Sequence, residues 1–206
     1  MNEILNKLHE AAASPRAQMD GYLAQDKKIV LCAPVYTPEE IEQNSSLGCV
    51  QLFYYPAETP NAKTAIVIPG NALTITSEMG EGGSTAYELH KLGYAVFVLR
   101  YRTFLDLGDN APLQDLARAV QLVTSLDEEL SIQTQDYALV GYSSGGQLAG
   151  VFANKERGYG HYGVARPGVL LLGYSVVNFS EVKIAYQAFM DTGNYGWHYY
   201  CSSVAD

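Results

Sequence analysis

Four apolar runs constrain this chain more than any other feature: TAIVIP (64–69), YAVFVLRY (94–101), DYALVGY (136–142) and PGVLLLGY (167–174). Each has the length of a strand. The first two lack polar alternation, as expected of strands covered on both faces. Helical segments lie between them. STAYELHKLG (84–93) stops at glycine, a good C-terminal residue for a helix. After DNAP, residues Leu113, Leu116, Ala117, Val120, Val123 and Leu126 form one apolar stripe. Asn110 is placed to cap this helix and Pro112 to occupy its first turn, and the helix is expected to run to about residue 130. SSGGQLAGVFAN (143–154) is a third helix. Alternation of this kind predicts an α/β chain: a three-layer αβα sandwich with a mostly parallel central sheet. Ligands bind such sheets beyond the carboxyl ends of the strands. The loops of interest are therefore 70–83, 102–111, 142–145 and the segment from 175 onward.

Two further strands are expected earlier, IVLCAPV (29–35) and CVQLFYY (49–55), with TPEEIEQNSSLG between them read as a polar connection. Met1, Ile4, Leu5, Leu8, Ala11 and Ala12 follow helical spacing up to the Ser14-Pro15 break, which suggests a short packing helix at the start. The 206 residues are 48% hydrophobic and 17% charged, consistent with a single globular domain over 1–206. A net charge of −9 argues against nucleic acid and against an anionic membrane surface as partners. Cys32, Cys49 and Cys201 form no CxxC pair and suit a reducing compartment. No stretch has the apolar length of a signal peptide or a membrane span, so a cytoplasmic location is expected. No grouping has metal-ligand spacing, and GEGG (80–83) lacks the lysine of a phosphate-binding loop. Neither a metal nor a cofactor is expected.

Gly141-Tyr142-Ser143-Ser144-Gly145 matches G-x-S-x-G. The pattern alone is weak, but here it follows a strand and opens a small-residue helix, the context of a nucleophile elbow. The flanking glycines allow the tight turn that lifts the serine hydroxyl above the sheet edge. The helix N-terminus behind it offers N–H groups and positive potential to an oxyanion. Ser143 is thus the candidate nucleophile, and the Ser144 backbone N–H the candidate oxyanion donor. The alternative is a glycine-rich packing turn.

These motifs, read together with IVIPGNALTITSEMGEGGSTAYELHKLGYAVFVLRYR, DNAPLQDLARAV and PGVLLLGYSVV, resemble the bacterial acetylesterase and xylan-esterase-like (BD-FAE-like) branch of the α/β hydrolases. The resemblance covers about residues 48–180. It implies the α/β-hydrolase fold, a serine esterase activity without cofactor, and a small-molecule ester as partner. It also places a second oxyanion donor in the loop Pro69-Gly70-Asn71-Ala72, at Asn71 or Ala72. Only the first of the family's usual loop glycines is kept here.

A serine hydroxyl needs a general base, normally a histidine held by a carboxylate. In this fold the chain order is serine, acid, histidine. After Ser143 the chain offers His161, His198 and the acids Glu156, Glu181, Asp191 and Asp206. His161 lies soon after the elbow helix, where a surface loop is expected. Asp191 and His198 are the late acid-then-histidine pair, but they lie too close together to occupy the ends of two successive strands. The resemblance implies two more strands carrying D-x-x-V-P-like and H-G-like motifs, and neither motif is present. The expectation is a chain lacking the last strands, with an exposed sheet edge that a homodimer would cover. Two functions follow: a hydrolase of small acyl esters such as acetylated sugars, or a catalytically incomplete remnant serving as a binding or interaction protein. A peptidase of the same fold is a third reading. The late aromatics (Tyr159, Tyr162, Tyr174, Tyr195, Trp197, Tyr199, Tyr200) either stack on substrate or pack among themselves. Arg100 and Arg102, beside Tyr101, are expected to anchor their loop rather than touch substrate.

Overall fold

The computed structural model describes residues 31–70, 76, 78–103 and 110–175. The expected lead-in helix, Asn71, Ala72, Asp191 and His198 lie outside the described residues, as do Tyr195, Trp197, Tyr199, Tyr200 and Cys201. Among the described residues there are six strands: β1 (Leu31–Pro34), β2 (Gln51–Tyr55), β3 (Ala62–Ile68), β4 (Ala95–Arg100), β5 (Ile132–Tyr142) and β6 (Val169–Gly173). They form one sheet in the order β1-β2-β4-β3-β5-β6. β1 and β2 pair antiparallel, as do β2 and β4, whereas β3 with β4, β3 with β5 and β5 with β6 are parallel. The expected α/β sheet, parallel through its centre, is therefore present.

The strands lie where the apolar runs placed them because both sheet faces are covered. On one face, Ile66, Ile68, Phe97, Leu99 and Leu139 pack with Leu116, Val120 and Val123 of α3 (Ala111–Ser125) and with Leu148 and Phe152 of α5 (Ser143–Phe152). On the other, Val67, Val96, Val98 and Val140 pack against Ala86 of α2 (Ser84–Lys91). The whole expected stripe of α3 is buried, from Leu113 to Leu126.

Four sequence expectations need correction. The segment after β1 is not a plain connection: it holds α1 (Pro38–Gln43) and a 3-10 turn (Ser45–Cys49). Thr37 and Glu40 form a reciprocal capping box, Pro38 opens the helix, and Asn44 accepts from Ser46 N–H to start the turn. The long helix stops at Ser125, and a separate short α4 (Asp127–Leu130) follows. Asn110 occupies the position before α3 but in a left-handed conformation (φ 57°), and its side chain makes no capping bond. β5 also starts earlier than its apolar run, at Ile132. Its first half alternates buried and exposed, and its pairing with β3 shifts register between Lys63 and Ala65.

The chain reverses its winding at β3. From β3 it passes through α2 to β4 on one side, then through α3 to β5 on the other side. Such a reversal opens a crevice at the carboxyl ends of the central strands. The ends of β3 and β5 meet there. At the edge of the described sheet, Val169, Leu170, Leu171 and Leu172 of β6 are exposed.

Candidate active site

Ser143 sits at the junction of β5 and α5. Its backbone has φ 49°, in the left-handed region that a residue with a Cβ enters at a cost of about 1–2 kcal/mol. The turn can be this tight because its neighbours have no side chains. A Cβ on Gly141 would lie 2.5 Å from the Gly146 Cα, and one on Gly145 would lie 2.3 Å from the Ile68 carbonyl oxygen. The G-x-S-x-G spacing is thus a packing requirement, with β3 and α5 in near backbone contact. Ser143 is half-buried and Ser144 fully buried. The first N–H groups of a helix lack intrahelical partners and carry the positive end of its dipole.

Gly70, just after β3, lies directly against this turn. A Cβ on Gly70 would lie 2.5 Å from the Tyr142 carbonyl oxygen, 2.8 Å from the Ser143 Cβ and 3.1 Å from the Ser144 nitrogen. Ser143, Ser144 and the start of the loop are therefore brought together. The candidate loop donors, Asn71 or Ala72, lie outside the described residues.

Several side chains hold this arrangement. The buried Tyr101 hydroxyl donates to the Pro69 carbonyl oxygen at 2.9 Å. The Gly70 N–H donates to Glu81 Oε2, and the Tyr174 hydroxyl donates to Glu81 Oε1, both at 2.5 Å. Desolvation and the hydrogen bond to Glu81 push the Tyr174 phenol up to about 12, although the side chain is largely exposed. Tyr174 also tilts against Tyr142, with ring centroids 5.6 Å apart. Tyr159 and Tyr162 pack on the main core instead. Sequence reasoning assigned neither Glu81 nor Tyr101 a role in the site, although an acid ahead of α2 and a Tyr-Arg pair after β4 are part of the pattern that the resemblance rests on. For Glu81 the available signal was an acid in a glycine-rich loop just ahead of α2, and Glu78 offers the same signal.

Arg102 behaves as expected of a loop anchor. Its guanidinium makes a buried pair with Asp115 at 2.8 Å, and its N–H donates to the same carboxylate. The Tyr36 hydroxyl completes the set, donating to Asp115 at 2.7 Å. Burial and the Asp115 charge hold that phenol well above its usual range.

Neither described histidine can serve Ser143. α5 carries the chain away from the crevice for ten residues, about 15 Å, before the loop bearing His161. His161 is exposed and edge-on to Tyr162. His90 is buried in the last turn of α2, which also leads away from the crevice. Among the described residues, no group of His, Cys, Asp and Glu could hold a metal ion, and no helix is long and apolar enough to cross a membrane. A cleft of about 490 Å³ on the α2 face, lined by Thr85, Leu89, Tyr142, Leu171 and Leu172 among others, does not include Ser143.

A sequence profile of the BD-FAE family matches residues 51–161. An acetylxylan esterase of Xylanibacter ruminicola is 29% identical over 135 residues, which are 65% of this chain and 27% of that protein. MGS-M1, an α/β-hydrolase enzyme from a Medee basin deep-sea metagenome library, is similar in structure, with a TM-score of 0.56 and 25% identity over 63% of this chain and 53% of that one. The acetyl ester-xyloside bifunctional hydrolase of Caldicellulosiruptor lactoaceticus has a TM-score of 0.61 and 24% identity, over 73% of this chain and 58% of that one, a likeness of fold. The chain thus matches about a quarter of the curated relative and a little over half of each solved structure. Strand order and these likenesses agree on the α/β-hydrolase fold.

Proposed function

The chain belongs to the BD-FAE family, and we propose that it is a carboxylic ester hydrolase with Ser143 as its nucleophile. The observation that carries this reading is the left-handed Ser143 at the end of β5, with the β3 loop packed against it. A packing turn has no need of a side chain there, and glycine would fit with less strain. A nucleophile needs that strain, because it aims the hydroxyl into the crevice.

In the proposed reaction, Ser143 Oγ attacks the ester carbonyl and passes its proton to a general base. The carbonyl oxygen becomes an oxyanion held by the Ser144 N–H and by the N–H of Asn71 or Ala72. Collapse releases the alcohol and leaves an acyl-serine, which water hydrolyses. The base is His198 with Asp191, or a group outside these 206 residues. The names of the acetylxylan esterase and the acetyl ester-xyloside hydrolase favour acetyl esters of sugars as the substrate class. Such substrates are neutral, so the net charge of −9 does not oppose them.

A fluorophosphonate probe tests the proposal, since it reacts with an activated serine. Labelling is expected at Ser143 and is expected to vanish in Ser143→Ala. A folded protein that takes up no label would instead be the catalytically incomplete binding protein. Release of acetate from acetylated xylan, compared with a longer acyl ester, then tests the substrate class.

A further inference from the structure

Two hydrogen bonds meet on one peptide unit, the bond joining Pro69 to Gly70. Its carbonyl oxygen is held by the Tyr101 hydroxyl at 2.9 Å and its N–H by Glu81 Oε2 at 2.5 Å. Both poles of the plane are thereby fixed, from different elements. Tyr101 follows β4, and Glu81 lies in the single π-helical turn (Glu78–Gly83) that leads into α2. Glu81 is itself held, because its second oxygen accepts from the Tyr174 hydroxyl just after β6.

We infer that Glu81 is a positioning residue for the proposed oxyanion hole, acting through the Gly70 N–H. The inference rests on the Ser143 reading above. A peptide plane turns as a unit, with only two soft dihedrals between one plane and the next. Fixing the Pro69–Gly70 plane leaves only φ and ψ of Gly70 before the following plane, which carries the N–H of Asn71, the first of the two candidate loop donors. Gly70 must be glycine, since a Cβ would lie 2.5 Å from the Tyr142 carbonyl oxygen. Glycine is also the residue least able to hold a direction by itself. The clamp returns the rigidity that glycine removes, at the point where Gly70 lies against Ser143 and Ser144. A carboxylate is well matched to this position, because it only accepts and two donors reach it here through charge-assisted bonds.

The test uses the full chain and two readouts, amide hydrogen exchange at Gly70 by NMR and the second-order rate of fluorophosphonate labelling at Ser143. Glu81→Ala is expected to speed Gly70 exchange at least about tenfold while amides of β3 and β5 keep their protection. It is also expected to slow labelling about tenfold, less than the 10²–10³-fold typical of losing an oxyanion donor outright. Glu81→Gln should restore most of both, because its amide oxygen still accepts from Gly70 and its amide N–H can donate to the Tyr174 hydroxyl. A purely structural role would not give that pattern. If Gly70 exchange and labelling in Glu81→Ala match the wild type, the inference is wrong. Should Glu81→Ala not fold, Glu81→Asp, one methylene shorter, replaces it with the same two outcomes. A wild type that takes no label at all overturns the esterase reading and the catalytic consequence with it. Unchanged Gly70 exchange with a labelling wild type overturns the clamp alone.

Discussion

At the scale of single residues, the site rests on backbone conformation as much as on side-chain chemistry. Ser143 is held at φ 49°, where glycine sits more easily. Ser143→Gly is therefore expected to stabilise the fold by about 0.5–1 kcal/mol while removing the proposed nucleophile. Urea denaturation of the two proteins measures this, and a destabilised glycine variant would contradict the strain. The placing of Ser143 at a strand-to-helix turn could be read in the sequence because its signal is local: a five-residue spacing between a strand and a helix. The role proposed for Glu81 could not, because it depends on Gly70 and on Tyr174, and the latter lies far along the chain. No spacing rule connects those three residues. Only the sheet that brings β3, α2 and β6 together does so.

Secondary elements show the same division. β3, β4, β5 and α3 were readable because burial on one face writes a period into the sequence and burial on both faces a continuous apolar run. α1 was missed although Thr37-Pro38-Glu39-Glu40 carries a capping box, a signal of ends rather than of faces. The first half of β5 was missed because its alternating exposed residues dilute the apolar run. Asp115 belongs to this scale, since it ties α3 to the end of β4 through Arg102 and to the segment after β1 through Tyr36. Asp115→Ala would leave a guanidinium buried without its carboxylate. The expected loss is about 3–5 kcal/mol, read from the shift of the urea midpoint. A change under about 1 kcal/mol would mean that the pair is replaced by other contacts.

For the molecule as a whole, two buried phenols set an alkaline limit. Burial pushes Tyr54 up to about 12 and holds Tyr137 higher still, against an ordinary value near 10. The folded state then keeps its protons more tightly than the unfolded chain. Stability from these groups is fully present below about pH 10 and falls as pH rises toward 12. Unfolding midpoints at pH 8 and pH 11 should differ in that direction, and Tyr54→Phe should narrow the gap. Equal midpoints would argue that the phenols reach water. The whole molecule also governs when the site can exist. The turn bearing Ser143 follows β5, and the loop that covers it follows β3, two strands distant in sequence but adjacent in the parallel sheet. Parallel pairing of remote segments forms late, after a large loop has closed. A chain still emerging from synthesis would therefore carry an unaimed serine alongside an open loop. The reactivity proposed for Ser143 would begin only when β3 and β5 join, because that pairing brings Gly70 against the serine turn.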